Sequence, residues 1–444
     1  MDAHRLINMS KQLNINQVVE AGLCISCGIC EAACPNVAIE MVYNHKYGML
    51  HPRLNVSKCN ECQICLKVCY GHEVDQKLYK RIQSRTPSSF IGSSVGFYYG
   101  IALDNALRLS SSSGGVITAL ILYALQEHLV EGAIVTKMKM RPMPLAKAFI
   151  ANTAEELLSA RGSKYCPTSL GEALRQIEEG KQYAVVGLPC HIYGIRKLTQ
   201  VNTRYRKSIS LYFGLLCGGL PSYLGTQYLL KKYEMERSIL IGLKYRGGKW
   251  PGCLMIEGNV SKGFSRVQIP YPEYWLGAYQ YFLPARCQVC HDGFNELSDI
   301  SFGDIWCQSA LGLTRNKLHG ISMMVTRTQR GECLLQNVYN AGDIQIDPVK
   351  SSDIIAAQPG LVKFKHLLLK ARIDFHRALG KQVPKFKEKL LPPTNLPRFL
   401  QAIDQFIGNR LCQNKQLWRL FDLYKSLNPF KDFLISLFGG NERT

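Results

Sequence analysis

Residues 24–35 read Cys24-Ile25-Ser26-Cys27-Gly28-Ile29-Cys30-Glu31-Ala32-Ala33-Cys34-Pro35. Residues 59–69 repeat the same cysteine spacing as Cys59-Asn60-Glu61-Cys62-Gln63-Ile64-Cys65-Leu66-Lys67-Val68-Cys69. The chain carries 17 cysteines, and its first residues contain no apolar stretch typical of a secretory signal. Regularly spaced cysteines in a chain without a signal indicate metal binding rather than disulfide bonds.

The spacing C-x2-C-x2-C-x3-C is the one that binds cubane iron–sulfur clusters in bacterial ferredoxins. Three thiolates two residues apart wrap one face of a cubane, and the fourth is directed to the other cluster. Zinc would use widely spaced ligand pairs, which fit two consecutive four-cysteine runs poorly. We therefore assign one [4Fe-4S] cluster to Cys24, Cys27, Cys30 and Cys69, and the other to Cys59, Cys62, Cys65 and Cys34.

The resemblance to two-cluster ferredoxins covers about residues 15–80. Tyr70 stands where the first run has Pro35, a difference that alters the turn and removes no ligand. Gly28 is expected to let the backbone approach the inorganic sulfides closely.

Composition limits the class of protein. The 444 residues suffice for two or three domains, and 46% hydrophobic with 20% charged residues is a globular composition. The longest nearly uncharged runs, 115–126 and 208–226, are interrupted by glycine, proline or polar residues, so neither predicts a membrane span. We expect a cytoplasmic protein.

The net charge of +21 predicts an acidic partner or surface. Residues 361–444 hold 16 lysines and arginines against six acidic residues. This basic tail could be a solvated surface, or it could be a helical cap that packs on the core or on a partner protein. A third alternative is a peripheral membrane contact through the apolar segment 428–438. No nucleic-acid motif accompanies the charge, so no nucleic-acid partner is expected.

Strands and helices alternate after residue 95, which predicts an α/β core. A Ser/Gly loop at 110–115 opens a strong helix and could bind phosphate, although a flexible linker would look similar. Cys190 and Cys217 follow predicted strands, and Cys287 and Cys290 form a C-x2-C pair. These four could hold a third cubane cluster or be buried core thiols.

Five ordered motifs between about 95 and 335 resemble the coenzyme F420 hydrogenase/dehydrogenase beta-subunit family. They are SSSGGVITALILYALQEHLVEGAIV, GSKYCPTS, VVGLPCHIYGIRKL, LYFGLLCGG and ARCQVCHDGFNELSDISFGDIW. An N-terminal two-cluster ferredoxin domain is a familiar partner of this domain in the family. The resemblance implies an FAD-binding α/β domain with a further [4Fe-4S] cluster near the flavin.

Residue roles implied by the resemblance follow its motifs. The inner cluster would be bound by Cys190, Cys217, Cys287 and Cys290, and the flavin would be contacted by Ser113, Gly114, Gly115, Thr118, Gly162, Ser163 and Lys164. Two departures from the family pattern, Cys166 and His191, are candidate proton donors or core residues. Asp299 and Asp304 either have a functional role or stabilise turns and helix ends through hydrogen bonds of their carboxylates.

The predicted domain order is a two-cluster ferredoxin domain at 1–80, a linker at 81–95, two halves of the flavin-binding domain at 96–178 and 179–340, and a basic helical tail at 341–444. The predicted function is an iron–sulfur flavoprotein oxidoreductase. It would pass electrons between ferredoxin-type clusters and FAD, with hydride transfer to or from a deazaflavin coenzyme or another small organic substrate. The alternative is an electron-transfer subunit serving a redox partner such as a hydrogenase or a reductase of polysaccharide biosynthesis.

Overall fold

A small N-terminal unit carries both cysteine runs. The computed structural model describes residues 14–82, 91–260, 263–307, 320–384 and 394–427. The unit contains α1 (Ile15–Glu20), α2 (Ile29–Ala33), β1 (Ile39–Asn44), β2 (Met49–Leu54), α3 (Ile64–Lys67) and α4 (Gln76–Ile82). β1 and β2 pair antiparallel, with Ile39 opposite Leu54.

The two cysteine runs fold alike. Each run leads into a short helix through one residue in the left-handed region, Gly28 at φ 73° before α2 and Gln63 at φ 59° before α3. These two residues occupy the same place in the repeated spacing. The sequence repeat is therefore a structural repeat as well.

The core of the chain is a large mixed sheet. Across the described residues it has eight strands in the order β13-β3-β12-β11-β7-β6-β4-β5. β4, β6, β7 and β11 run parallel, and the outer strands are antiparallel. The strands are β3 (Gly96–Ala102), β4 (Gly132–Lys139), β5 (Leu145–Ala151), β6 (Tyr183–Gly187), β7 (Ile209–Leu215), β11 (Ile300–Asp304), β12 (Ser322–Thr326) and β13 (Ile344–Pro348).

Helices cover both faces of this sheet, because its central strands carry apolar side chains on both sides. One face packs against α6 (Val116–Gln126), α7 (Ala154–Ser159) and α14 (Gln329–Asn340). The other packs against the N-terminal unit and α8 (Gly171–Arg175), α9 (Pro189–Val201) and α10 (Thr203–Ser208). α5 (Asn105–Ser110) follows β3. The cysteine-bearing unit is thus part of the layer that covers the sheet.

A second, three-stranded antiparallel sheet lies after α11 (Tyr223–Lys232) in the chain. It consists of β8 (Ile239–Gly247), β9 (Cys253–Val260) and β10 (Gly263–Pro270) and is followed by α12 (Tyr271–Gly277) and α13 (Ala285–Gln288). An aromatic-rich cluster joins it to α18 (Leu396–Cys412) and α19 (Trp418–Ser426). The other late helices are α15 (Ser351–Ala356), α16 (Pro359–Val362) and α17 (Leu369–Ala378).

The mixed α/β class with a ferredoxin-like N-terminal domain is confirmed. The structure differs from the sequence-based boundary at 340, because β13 pairs with β3 and extends the large sheet. Ile344–Asp347 alternate between buried apolar and exposed polar positions, but this short pattern does not show which strand they pair with. Most of the predicted linker and the segment 428–438 lie outside the described residues. None of the described helices is long and apolar enough to cross a membrane.

Candidate functional site

The first cavity lies inside the N-terminal unit and is lined by Cys24, Cys27, Cys30 and Cys69 together with apolar side chains of α1 and β1. Cys69 belongs to the second run, so the structure brings together the four cysteines that the sequence assigned to one cluster. Burial raises the pKa of Cys27 to about 12, and the neighbouring Cys69 adds to the rise. Four adjacent thiols in an apolar cavity cannot all ionise without a positive group among them. A metal cluster would supply that charge.

The cysteines of the second run lie nearer the surface. Cys59, Cys62 and Cys65 are only partly buried. Burial raises the pKa of Cys65 to about 11, and the charges of Cys62 and Cys34 add to the rise. Cys34, the fourth cysteine of the first run, therefore lies beside the cysteines of the second run. This is the position that it needs to bind the second cluster, as predicted. Its Sγ also accepts a hydrogen bond from the Ala38 N–H at 3.2 Å.

The second cavity, here called the inner cavity, is lined by four cysteines from distant parts of the chain. Cys190 lies at the start of α9, Cys217 follows β7, and Cys287 and Cys290 lie in and after α13. The structure brings together the set that the family resemblance grouped. Their role as cluster ligands stays a prediction.

Buried positive charge surrounds the inner cavity. Lys365 and Arg286 line it, and each residue is 1% exposed. Burial opposes ionisation of Cys290, yet Lys365, Arg286 and the Tyr70 hydroxyl together hold its pKa below the ordinary value. Buried cations are costly unless an anion accompanies them. A [4Fe-4S] cluster with four thiolates carries net negative charge and fits this surrounding.

The cysteine geometry favours clusters over single ions. In the part of the chain that the structure describes, no group of three or more His, Cys, Asp or Glu side chains could hold one metal ion. A cubane takes one thiolate at each of four irons, so its ligands lie farther apart than those of a single ion.

The N-terminal unit is fixed directly onto the α/β core. Ile25 lines both cavities, and the Cys27 carbonyl accepts a hydrogen bond from the Leu170 N–H at 3.0 Å. A Cβ added to Gly28 would lie 1.9 Å from Ser169 Oγ. This close approach of Gly28 is to the core. The expected approach of its backbone to a cluster sulfide stays a prediction.

The residues predicted to contact a flavin lie in two loops that touch each other. Ser112 Oγ accepts a hydrogen bond from the Ser163 N–H at 2.8 Å, joining the loop before α6 to the loop after α7. Burial lowers the pKa of Lys164 to about 8. The first loop holds Ser113, Gly114 and Gly115 and continues into Thr118 of α6, and the second holds Gly162, Ser163 and Lys164.

These loops combine features that suit a phosphate-bearing cofactor. Gly115 precedes α6 at φ 80°, and the eleven-residue helix directs its first backbone N–H groups toward the loop. A Cβ at Gly162 would meet only Ser112 Oγ, at 3.9 Å, so space remains there. At position 114 close packing requires a glycine, because a Cβ there would lie 2.6 Å from the Gly100 carbonyl oxygen. Flavin contact stays a prediction for all of them.

The two candidate proton donors, Cys166 and His191, are buried. The His191 ring lies between two backbone groups, with the Leu188 N–H donating to Nδ1 at 3.3 Å and Nε2 placed 3.2 Å from the Thr168 carbonyl. Burial lowers the pKa of His191 to about 4 and raises that of Cys166. The contacts of His191 are those of a neutral residue that stabilises the start of α9. Its catalytic role, and that of Cys166, stay predictions.

Asp299 and Asp304 have defined partners. Asp299 accepts hydrogen bonds from the Tyr212 N–H at 2.9 Å and from the Thr328 hydroxyl at 2.9 Å, and pairs with Arg196 at 3.3 Å. These contacts support the cap-and-turn alternative for Asp299. Asp304 forms an ion pair with Arg246.

Arg246 and its aromatic neighbours were not predicted from the sequence as a site. The Arg246 guanidinium lies 5.0 Å from the ring centre of Tyr271 and 5.1 Å from that of Trp306, and these two rings stack. The three residues are far apart in the sequence, and of them only Trp306 lies in a quoted motif, at the end of ARCQVCHDGFNELSDISFGDIW. A run of aromatic residues at 271–281 was a further local signal.

The fold and the two cysteine-lined cavities define a class of iron–sulfur protein with a dicluster domain on an α/β core. Residues 23–70 match a 4Fe-4S dicluster domain. Residues 97–175 and 180–352 match the N-terminal and C-terminal parts of the family described as coenzyme F420 hydrogenase/dehydrogenase, beta subunit. The chain belongs to this family, as the sequence motifs predicted.

Two curated relatives are proteins of Methanocaldococcus jannaschii and Methanothermobacter thermautotrophicus. The chain is 25% identical to the coenzyme F420-dependent sulfite reductase of Methanocaldococcus jannaschii over 72% of this chain and 46% of that protein. It therefore spans about half the length of that relative. It is 27% identical to the coenzyme F420 hydrogenase subunit beta of Methanothermobacter thermautotrophicus, over 58% of this chain and 84% of the other.

A third relative is the F420-dependent formate dehydrogenase subunit beta of Methanocaldococcus jannaschii, 30% identical over 55% of this chain and 60% of that protein. Among solved structures, a chain of the F420-reducing [NiFe] hydrogenase complex from Methanosarcina barkeri is similar at a TM-score of 0.49 and 19% identity. That similarity covers 68% of this chain and 99% of the other.

Proposed function

We propose that this chain is an iron–sulfur flavoprotein subunit that transfers electrons between three [4Fe-4S] clusters and FAD. The observation that carries the proposal is the inner cavity, where four cysteines meet two buried cations beside the dicluster domain. Four thiolates and a cluster would balance the charge of Lys365 and Arg286.

In this proposal the chain's own residues hold, insulate and connect the redox groups. Cys24, Cys27, Cys30 and Cys69 would hold one cluster inside the dicluster domain, while Cys34, Cys59, Cys62 and Cys65 would hold the other nearer the surface. Cys190, Cys217, Cys287 and Cys290 would hold the third. Ile25 lines both cavities, and its apolar side chain would help to exclude water between the two clusters.

Proposed hydride exchange rests on the two adjoining loops at 112–115 and 162–164. A bound flavin would supply the ability to take up single electrons and to release them as a pair in a hydride. The N-terminus of α6 would orient its phosphates, and Lys164 would add positive charge beside them. The relatives named for coenzyme F420 favour a deazaflavin as the hydride partner.

A second candidate is an electron-transfer subunit without a substrate of its own. Two of the relatives are named as beta subunits, of a hydrogenase and of a formate dehydrogenase, which favours a partner subunit. The partly exposed second cysteine run offers such a partner a point of electron exchange near the surface. The two candidates share the clusters and differ in whether a small molecule reaches the flavin.

The first experiment is anaerobic purification with quantification of iron, sulfide and flavin on one sample. We expect about twelve irons and one FAD per chain, since each cubane holds four irons. Cys217→Ser should retain about eight irons. Cys333→Ser is the matched control, because Cys333 is exposed on α14, and it should retain all twelve. Eight irons without flavin in the unaltered protein would contradict both the inner cluster and the FAD.

A second measurement separates the two candidates. Reduced deazaflavin coenzyme is mixed with the purified chain alone, and its oxidation is followed by absorbance under anaerobic conditions. Oxidation coupled to bleaching of the iron–sulfur absorbance supports direct hydride exchange. A loaded protein that leaves the deazaflavin unchanged, yet exchanges electrons with a one-electron dye, supports the electron-transfer subunit.

A further inference from the structure

Tyr70 connects the two halves of the proposed electron path. It directly follows Cys69, which lines the first cavity, and it also lines the inner cavity itself. Its hydroxyl lies 3.5 Å from Cys290 Sγ, across 220 residues of sequence, and the residue is 1% exposed. The first cysteine run has Pro35 at this place, which could make no such contact.

Its surroundings hold the Tyr70 ring in place. The guanidinium of Arg286 lies 4.3 Å from the ring centre, and Arg286 Nη2 donates a hydrogen bond to the Tyr70 carbonyl at 3.0 Å. The ring of Tyr193 lies 4.7 Å away, centre to centre. With both its backbone and its ring fixed, Tyr70 presents its hydroxyl to Cys290 in one orientation.

The chemistry of a cluster ligand decides the direction of this hydrogen bond. A cysteine bound to iron is a thiolate and can only accept, so the Tyr70 hydroxyl donates. Hydrogen bonds to the sulfurs are one of the factors that set the reduction potential of an iron–sulfur cluster. Reduction adds negative charge, which a donor stabilises more strongly than it stabilises the oxidised form.

We propose that Tyr70 is a positioning residue that raises the reduction potential of the inner cluster and so directs electrons from the dicluster domain toward it. This inference rests on the proposed function, because it requires a cluster in the inner cavity. Tyr70 is not a cluster ligand, yet in this proposal it sets the difference in reduction potential between the inner cluster and the neighbouring cluster of the dicluster domain. Because Cys69 and Tyr70 are consecutive, two neighbouring residues connect the first cavity to the inner cavity.

The test is a redox titration of Tyr70→Phe followed by electron paramagnetic resonance, with iron counted on each sample. Loss of the donor should favour the oxidised inner cluster about tenfold, a shift of about 59 mV to more negative potential for a one-electron couple. The other two clusters should keep their potentials. Tyr79→Phe is the matched control: Tyr79 is a buried neighbour in the same core cluster whose hydroxyl bonds to Asp292 and not to sulfur.

An unchanged inner-cluster potential in Tyr70→Phe, or an equal shift in Tyr79→Phe, would overturn the inference while leaving the proposed function intact. If the unaltered protein contains only eight irons, the proposed function itself fails, so the two failures are distinguishable. Should Tyr70→Phe lose the inner cluster, 3-fluorotyrosine incorporated at position 70 keeps the ring and makes the hydroxyl a stronger donor. That protein should show a more positive inner-cluster potential, and no change there would also overturn the inference.

Discussion

Lys365 is a buried charged residue that lines the inner cavity. Lys365 belongs to a short π-helical turn at Lys363–Leu367, outside the family match that ends at 352. It is 1% exposed. Burial raises the pKa of Cys217 and of Cys287, and the charge of Lys365 opposes that rise. At Cys290, Lys365 and Arg286 outweigh burial and the pKa lies below the ordinary value. A part of the basic C-terminal region therefore serves the inner cavity instead of the solvent-exposed surface.

Replacing this lysine should change the inner cavity specifically. In Lys365→Met, an uncompensated negative charge is left in a buried place, so we expect a more negative inner-cluster potential or loss of about four of the twelve irons. Redox titration and iron analysis measure both effects. Lys363→Met alters an exposed lysine of the same turn and serves as the control. Equal behaviour of the two variants would contradict the role assigned to Lys365.

A buried histidine should make the protein sensitive to acid. His376 of α17 is buried beside Lys381 and Arg372, and burial together with these cations lowers its pKa to about 4. The unfolded chain binds this proton near pH 6.5, so stability is lost as pH falls from about 6.5 toward 4. The loss reaches about 3 kcal/mol at the lower end.

This pH dependence is measured as the melting temperature between pH 7 and pH 5. We expect His376→Gln to flatten the decline, because glutamine does not titrate. His45→Gln removes an exposed histidine and should follow the unaltered protein. A decline in His376→Gln as steep as in the unaltered protein would show that the proton is bound elsewhere.

At the scale of elements, the contact between α9 and α2 fixes the dicluster domain on the core. Gly194 of α9 faces Ile29 of α2, and a Cβ at Gly194 would lie 2.7 Å from Ile29 Cγ1. α2 starts and ends between cysteines of the first run, so it has little freedom to move. The glycine is therefore required by close packing and not by its backbone conformation.

Gly194→Ala should destabilise the protein despite the better helix propensity of alanine. Overpacking costs about 1–3 kcal/mol, and the propensity gain of about 1 kcal/mol offsets only part of it. Denaturant unfolding under anaerobic conditions gives the difference. At Gly360 of α16 a Cβ would meet no atom within 4 Å, so Gly360→Ala should leave stability unchanged or higher. A stabilised Gly194→Ala would mean that α2 moves freely.

Across the whole molecule, the proposed surface cluster is the one whose four cysteines, Cys34, Cys59, Cys62 and Cys65, are all partly exposed, while each of the other two sets includes a buried cysteine. Cys27 and Cys290 are two of these buried cysteines. Solvent and small reagents should therefore reach the surface cluster most easily. The second run is thus the expected point of entry or exit for electrons exchanged with a partner protein.

An iron chelator should reveal this difference in exposure. We expect about four of twelve irons to be removed in a fast phase, because the cluster at the second run is the one that solvent reaches. Chelator absorbance gives the time course, and electron paramagnetic resonance identifies the remaining clusters. Cys62→Ser should lack the fast phase and retain the slow ones. Release of all iron in one phase would contradict the difference in exposure.

Local spacing allowed part of the fold and site to be predicted from sequence. The dicluster domain followed from cysteines a few residues apart, and the α/β class followed from alternating strand and helix patterns. The strand β13 at 344–348 was missed, because its pairing with β3 depends on residues far away in sequence. The predicted flavin loops were found as two separate motifs, and their contact through Ser112 and Ser163 came from the fold.

By itself, the sequence determined the eight dicluster cysteines, the family and the type of fold, because short-range spacing constrains a cluster-binding loop wherever it lies. Only the tertiary structure decided which charges and hydroxyls surround the inner cavity. Tyr70, Arg286 and Lys365 come from three distant segments, and the spacing of the cysteines does not predict that they meet. They meet because apolar packing brings the dicluster domain and the C-terminal helices onto the same region of the core, and burial then makes their charge and hydrogen bonding decisive.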